Sequence, residues 1–309
     1  MPPGSSVRYW WTVTDADGNK VQTEPVKVRV DDHRYAWNDL TQGKVTLYWY
    51  EGDDSFAREL MAAAQQALVR LTQSTNVELE RPVKIYIYAN AQDLQGSMIF
   101  PQEWTGGVAF TRYGIVAIGI VPTNIDWGTR VIAHELTHLV IHQMTFNPYG
   151  GLPTWLDEGL AMNAEGELGA VFATLLGKSV DKGNLISVRS LSSPFSAFAE
   201  ESSLAYAQSY SLVEFLSSSY GQEKMFELLC TFKEGSGYDE ALVRVYDFDM
   251  DGLDGLWRDY LNAQTIAVRP APQAPLHVWI LSMFIVGLIL ATIIIPWLWY
   301  FGRLGTRDS

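Results

Sequence analysis

The chain has 309 residues, of which 48% are hydrophobic and 18% charged, with 11 Trp, 15 Tyr and 13 Phe. That is ample apolar mass for a folded core, and it excludes a disordered or collagen-like chain. A single cysteine, Cys230, excludes a disulfide framework and a cysteine-built zinc or iron–sulfur site, while a net charge of −13 opposes binding to phosphate backbones, so nucleic acid is not an expected partner.

In chain order, residues 1–30 read as a β-hairpin: VRYWWTV, the turn Asp15-Ala16-Asp17-Gly18-Asn19, then an alternating run from Pro25 to Val30. Two strands alone are marginally stable, so this piece is expected to be the end of a β-sandwich module. The opening MPPGSSVRYWW is not a charged-then-apolar signal peptide, so a missing native N-terminus is one expectation and a tail-anchored chain the other.

Residues 31–265 read as one α+β domain, strands first and helices later. Val45, Leu47 and Trp49 alternate with Thr46, Tyr48 and Tyr50 as in a half-buried strand. Asp53-Asp54 then opens a helix with Phe56, Leu60, Ala64, Leu68 and Leu71 on one stripe. Further strands are expected over Val83–Ile87, Gly107–Phe110 and Ile115–Ile120. Helices follow at 129–144, 155–165, 203–219, 222–234, 238–246 and 252–264.

A Pro-rich stretch over 266–275 is a stiff linker. Beyond it, Leu276 to Gly302 contains no Lys, Arg, Asp or Glu. About 20 apolar residues suffice to cross a bilayer, and Trp279, Trp297, Trp299 and Tyr300 stand where an aromatic belt would. Residues 276–301 are therefore expected to be a transmembrane helix contacting the lipid bilayer. Arg303 and Arg307 in the tail 302–309 favour a cytoplasmic C-terminus, with the domain before the span outside.

The residues that carry chemistry are His134-Glu135-Leu136-Thr137-His138. Histidines four apart share one face of a helix and can share a metal, with Glu135 beside them to take a proton from metal-bound water. Further on, Trp155-Leu156-Asp157-Glu158-Gly159-Leu160-Ala161 follows the turn-forming Asn147-Pro148-Tyr149-Gly150-Gly151. A second helix starting near Trp155 would bring Glu158 level with the histidines. Two imidazoles and a carboxylate leave one tetrahedral position open, as catalytic zinc requires.

HELTH followed by WLDEGLA resembles the gluzincin metallopeptidases, most closely the peptidase MA-like family of membrane-anchored bacterial type. The likeness takes in NPYGGLPTWLDEGLA and LAYAQSYSLVEFL. It implies a gluzincin-like catalytic domain, a small mixed sheet plus a helical half, holding one Zn2+ per chain and acting on peptide or protein substrates. It further implies His134, His138 and Glu158 as zinc ligands, Glu135 as general base, Glu165 as a carboxylate bracing a ligand histidine, and Tyr206 as the oxyanion stabiliser, with Tyr210 the competing tyrosine. Aminopeptidase relatives hold the substrate's amino terminus with a glutamate of a Gly-x-Met-Glu-Asn segment. Here Gly106-Gly107-Val108-Ala109-Phe110 has no carboxylate, which favours an endopeptidase. A membrane-tethered binding or scaffolding module that keeps the fold without cleaving is the alternative.

Three other signals are read as structural. Asp247, Asp249 and Asp251 imitate the start of a calcium loop whose twelfth position is Arg258 rather than Glu. His142 would close the metal site as a fourth ligand and is expected beside it instead. Cys230, in MFELLCTF, is expected in helix packing.

Overall fold

The structure, a computed structural model, describes residues 1–98, 106–196 and 199–263. The expected linker and span at 266–275 and 276–301 lie outside these residues. Among the described residues no helix is long and apolar enough to cross a membrane.

The centre of the fold is a five-stranded sheet in the order β5-β6-β7-β9-β8, formed by β5 (Asn38–Gln42), β6 (Val45–Trp49), β7 (Val83–Tyr88), β8 (Gly107–Phe110) and β9 (Ile115–Gly119). The three inner strands run parallel, with Val45 level with Val83 and Lys84 with Ile115. Both outer strands, β5 and β8, are antiparallel to their neighbours. The two faces differ in chemistry because side chains alternate along each strand. One face sends Val45, Leu47, Trp49, Ile85, Ile87, Val116 and Ile118 into the main aliphatic core.

Helices α1 (Asp54–Thr75) and α3 (Ile125–Thr145) pack on that main core. The start of α1 is set by Asp53, whose carboxylate accepts from Phe56 N–H at 2.9 Å, and its end by Asn76 in the left-handed conformation. Phe56, Leu60, Ala64 and Leu71 are buried, with Leu68 partly so. The remaining helices are α2 (Ala91–Gln95), α4 (Thr154–Glu165), α5 (Ala170–Lys182), α6 (Val188–Leu191), α7 (Ala199–Lys233), α8 (Tyr238–Tyr246) and α9 (Met250–Ala263). The expected pair 203–219 and 222–234 is present as the two arms of α7, which meet at Gly221, whose φ of 82° breaks the helical path.

On the opposite sheet face a separate aromatic cluster forms. Tyr35 stacks on Tyr50 at 4.0 Å and Tyr48 on Tyr86 at 4.6 Å, while Trp37 stands edge-on to Tyr50, Tyr86 and Tyr88. The N-terminal ribbon attaches here. Its strands β1 (Ser5–Tyr9) and β4 (Val26–Val30) pair, as do β2 (Thr12–Thr14) and β3 (Lys20–Gln22), around an Asp15–Asn19 turn in which Asp15 Oδ1 accepts from the Asp17 and Asn19 amides. Lys84 Nζ donates to Gly4 O at 2.9 Å and Arg29 to the Tyr86 hydroxyl at 2.8 Å. Met1–Ile266 form one compact unit.

Candidate metal centre

The central residues sit on α3 and α4, whose relative placement is fixed by the loop between them. Asn147 Oδ1 accepts from the Tyr149 and Gly150 amides, and its Nδ2 donates to Phe232 O at 2.9 Å, pinning the turn to α7. Pro153 O then accepts from the Leu156 and Asp157 amides and starts α4. Behind α4, Gly159 meets α7 so closely that a Cβ there would strike the Ser209 carbonyl and the Val213 side chain. This close contact seats the α4 residue just before it, Glu158, opposite α3.

The resulting geometry brings three atoms to one point. Glu158 Oε2 lies 3.3 Å from His134 Nε2 and 3.7 Å from His138 Nε2. This oxygen is buried and has no hydrogen-bond partner. A buried carboxylate oxygen left in that condition is costly unless a cation completes it. The three ligand atoms lie within 4.8 Å of one another. Two imidazole nitrogens and one carboxylate oxygen with an open fourth direction form a donor set that fits zinc.

Both imidazoles are held from behind. His134 Nδ1 is 2.8 Å from Glu165 Oε1, and His138 Nδ1 is 3.0 Å from Asp157 Oδ1, whose other oxygen is 2.9 Å from His142 Nε2. With Nδ1 engaged outward, each Nε2 is the ring atom left facing Glu158. Burial would disfavour a charged His138, but the Asp157 and Glu158 carboxylates outweigh it and lift this imidazole to about 9. His134 is likewise raised, burial being overcome by Glu158 and Glu165. Asp157, despite its own burial, is held far below the usual carboxylate range by His138 and His142. The pocket therefore favours positive charge at its centre.

Glu135 stands between these residues and the edge strand β8. A Cβ on Gly107 would come within 2.9 Å of Glu135 Oε1, so glycine is what leaves that carboxylate its place. Burial raises the Glu135 carboxyl above its ordinary value, against the opposing pull of the two imidazoles. Beyond β8 no strand pairs among the described residues.

The two competing tyrosines part company. The Tyr206 ring lies 6.3 Å from that of His134. Burial first, then the charges of Glu158, Glu135 and Glu165, push its hydroxyl well above the ordinary tyrosine value, which keeps it protonated as a donor. Tyr210 is raised to about 12 by burial and by Glu214, with Glu167 a further neighbour. Tyr210 thus belongs to a different environment.

Asp157 carried no role in the sequence reading, although it directly precedes Glu158 in WLDEGLA. The only signal was a second carboxylate on the helix that faces three histidines spaced by four. His142 sits on the outer side of Asp157 and is 37% exposed. The calcium-like run is a helix connection: Asp247 ends α8 in the left-handed conformation, Asp249 caps the Gly252 amide at 2.8 Å, and Asp251 pairs with Arg189. Cys230 is half-buried against the core.

Comparison with known proteins gives one family match: the profile of the peptidase MA superfamily matches residues 63–263. Among solved structures, aminopeptidase A of Legionella pneumophila is similar at 16% identity and a TM-score of 0.42, over 82% of this chain and 28% of that one. An M1 zinc metallopeptidase of Deinococcus radiodurans is similar at 15% identity and a TM-score of 0.39, over 88% of this chain and 64% of that one. The chain thus spans less than two thirds of the length of either. No curated protein matches it.

Proposed function

Because the chain belongs to the peptidase MA superfamily, we propose that it is a zinc-dependent endopeptidase. The observation that carries this reading is the buried, unpartnered Glu158 Oε2 facing the Nε2 atoms of His134 and His138. These three side chains would hold the ion. Zinc in such a set supplies Lewis acidity, which polarises a carbonyl and brings the pKa of a bound water to about 7.

The chain's own groups do the rest. Glu135 takes the proton of the attacking water and delivers it to the departing amine, a role suited to a carboxyl raised by burial. Tyr206 donates its hydroxyl proton in a hydrogen bond to the oxyanion that forms at the scissile carbonyl. Glu165 and Asp157 hold the imidazoles in place. The edge of β8, unpaired among the described residues, offers backbone groups for an extended peptide. Residues 106–110 present no carboxylate to an amino terminus, which supports internal cleavage.

The charge-free run from Leu276 to Gly302 supports a further part of the proposal, that residues 276–301 anchor the enzyme in a bilayer with Arg303 and Arg307 on the cytoplasmic side. Digestion of a peptide mixture tests the catalytic reading. Internal cuts made by the zinc-loaded chain and lost in Glu135→Gln support it, whereas equal cutting by Glu135→Gln removes the assigned base. Cuts confined to the first residue would replace endopeptidase with aminopeptidase.

A further inference from the structure

A cleft of about 650 Å³ opens between α1, the first half of α3 and the end of α4. Glu165, the carboxylate that holds His134, forms part of its wall, and Trp127, 39% exposed, forms another. Two arginines line it from different helices, Arg70 from α1 and Arg130 from α3. Arg70 is fixed by its Nε donating to Ala164 O at 2.8 Å. Among the described residues neither guanidinium is in an ion pair. Arg130 stands four residues before His134 and so one turn away along the same face of α3.

Two carboxylates also line the cleft, and both have local roles. Glu165 Oε1 is committed to His134, and Asp126 occupies the first turn of α3, where a negative charge complements the helix end. The guanidinium forks are left as the charged donors available to a ligand, with the Gln66 amide also on the wall. Arginine forks suit a carboxylate because two parallel N–H groups match its two oxygens. The volume falls in the range of small-ligand pockets, enough for a residue of a peptide, with the Trp127 ring as an apolar wall.

We propose that this cleft, with Arg130 and Arg70 as its anchors, binds a carboxylate of the peptide substrate, so that the enzyme selects acidic peptides. The carboxylate has two possible sources, an Asp or Glu side chain or the peptide's own C-terminus. This specificity rests on the peptidase reading above, and the two can fail separately.

The test is equilibrium binding of labelled peptides to the zinc-loaded full chain carrying Glu135→Gln, beside cleavage-site profiling with the unaltered chain. Matched peptides carry Glu or Gln at each position in turn, and each is made with a free or an amidated C-terminus. The expected result is about tenfold tighter binding of one acidic form, equivalent to one guanidinium–carboxylate contact. Arg130→Gln should lose that preference, and Arg70→Gln should weaken it. A preference carried by Glu at a fixed position identifies the side chain, and one carried by the free acid identifies the terminus. Cleavage without acidic preference, unaltered in both arginine variants, overturns the cleft and leaves the peptidase standing. Acid-selective, Arg130-dependent binding without any cleavage does the reverse.

Discussion

Asp157 Oδ1 lies 3.0 Å from His138 Nδ1 while its Oδ2 lies 2.9 Å from His142 Nε2, so one carboxylate joins two histidines a helical turn apart. Such outer contacts fix the ring orientation and raise the basicity of a ligand imidazole, and their loss costs on the order of 10–100-fold in metal affinity. Asp157→Asn should therefore weaken zinc binding by about that factor, read by competition against a chromogenic chelator. His142→Ala should have a smaller effect, since it removes Asp157's other partner and leaves the bond to His138. An unchanged affinity in Asp157→Asn would show that the bond does not organise the site.

The two tyrosines offer a paired comparison. Tyr206 is beside His134 and Tyr210 is near Glu214 and Glu167. Tyr206→Phe should lower kcat by roughly 10²-fold, the scale of losing one oxyanion donor, with zinc content retained. Tyr210→Phe should leave kcat within a few-fold. Equal losses in both variants would point to packing.

Gly159 is a stability position rather than a chemical one. Its α-carbon faces the Ser209 carbonyl and Val213 across the contact between α4 and α7. Gly159→Ala forces these helices apart and should cost about 1–3 kcal/mol, the usual range for overpacking, visible as a lower Tm and, because Glu158 moves with α4, as weaker zinc binding. Gly107→Val should lose activity as well, since its side chain would press on Glu135 and Val131.

Asp32 gives a pH-dependent test of how the N-terminal segment is fastened. It accepts from Arg34 through both oxygens and from the Tyr88 hydroxyl at 3.0 Å. Arg34's hydrogen bonds, working against burial, lower its carboxyl below the ordinary value. A depressed carboxylate contributes stability that is complete above its unfolded pKa and lost as pH falls through the folded one. Asp32→Asn should therefore destabilise the fold by about 1 kcal/mol at pH 7, with the gap to the unaltered chain closing as pH falls below the ordinary aspartate value and through the depressed one. A gap that persists in acid would assign the loss to shape rather than charge.

The candidate metal centre was legible where chemistry and helical period coincide. HELTH and WLDEGLA place donor residues at spacings that only helices bring to one face, and α3 and α4 lie where that spacing requires. Asp157 was not legible, because a carboxylate in the first turn of a helix already has a local electrostatic reason to be there. Strand β5, NDLTQ, was missed because its side chains are mostly exposed and show no apolar alternation. Helix α5 was missed because, with only Leu176 and Ser179 buried on it, it carries no continuous buried stripe. Residues 1–30 were read as a hairpin ending a β-sandwich module, because two isolated strands are only marginally stable. In the structure Arg29, Gly4 and the aromatic sheet face give it tertiary partners that no local pattern encodes.

His134, His138 and Glu158 are proposed together to hold one zinc ion. Zinc per chain, measured in the purified full-length protein beside His138→Ala, tests this most directly. About one zinc per chain is expected, lost in the variant while the Tm shows a folded protein. A chain that takes up no zinc after reconstitution, or one whose zinc survives in folded His138→Ala, would contradict it.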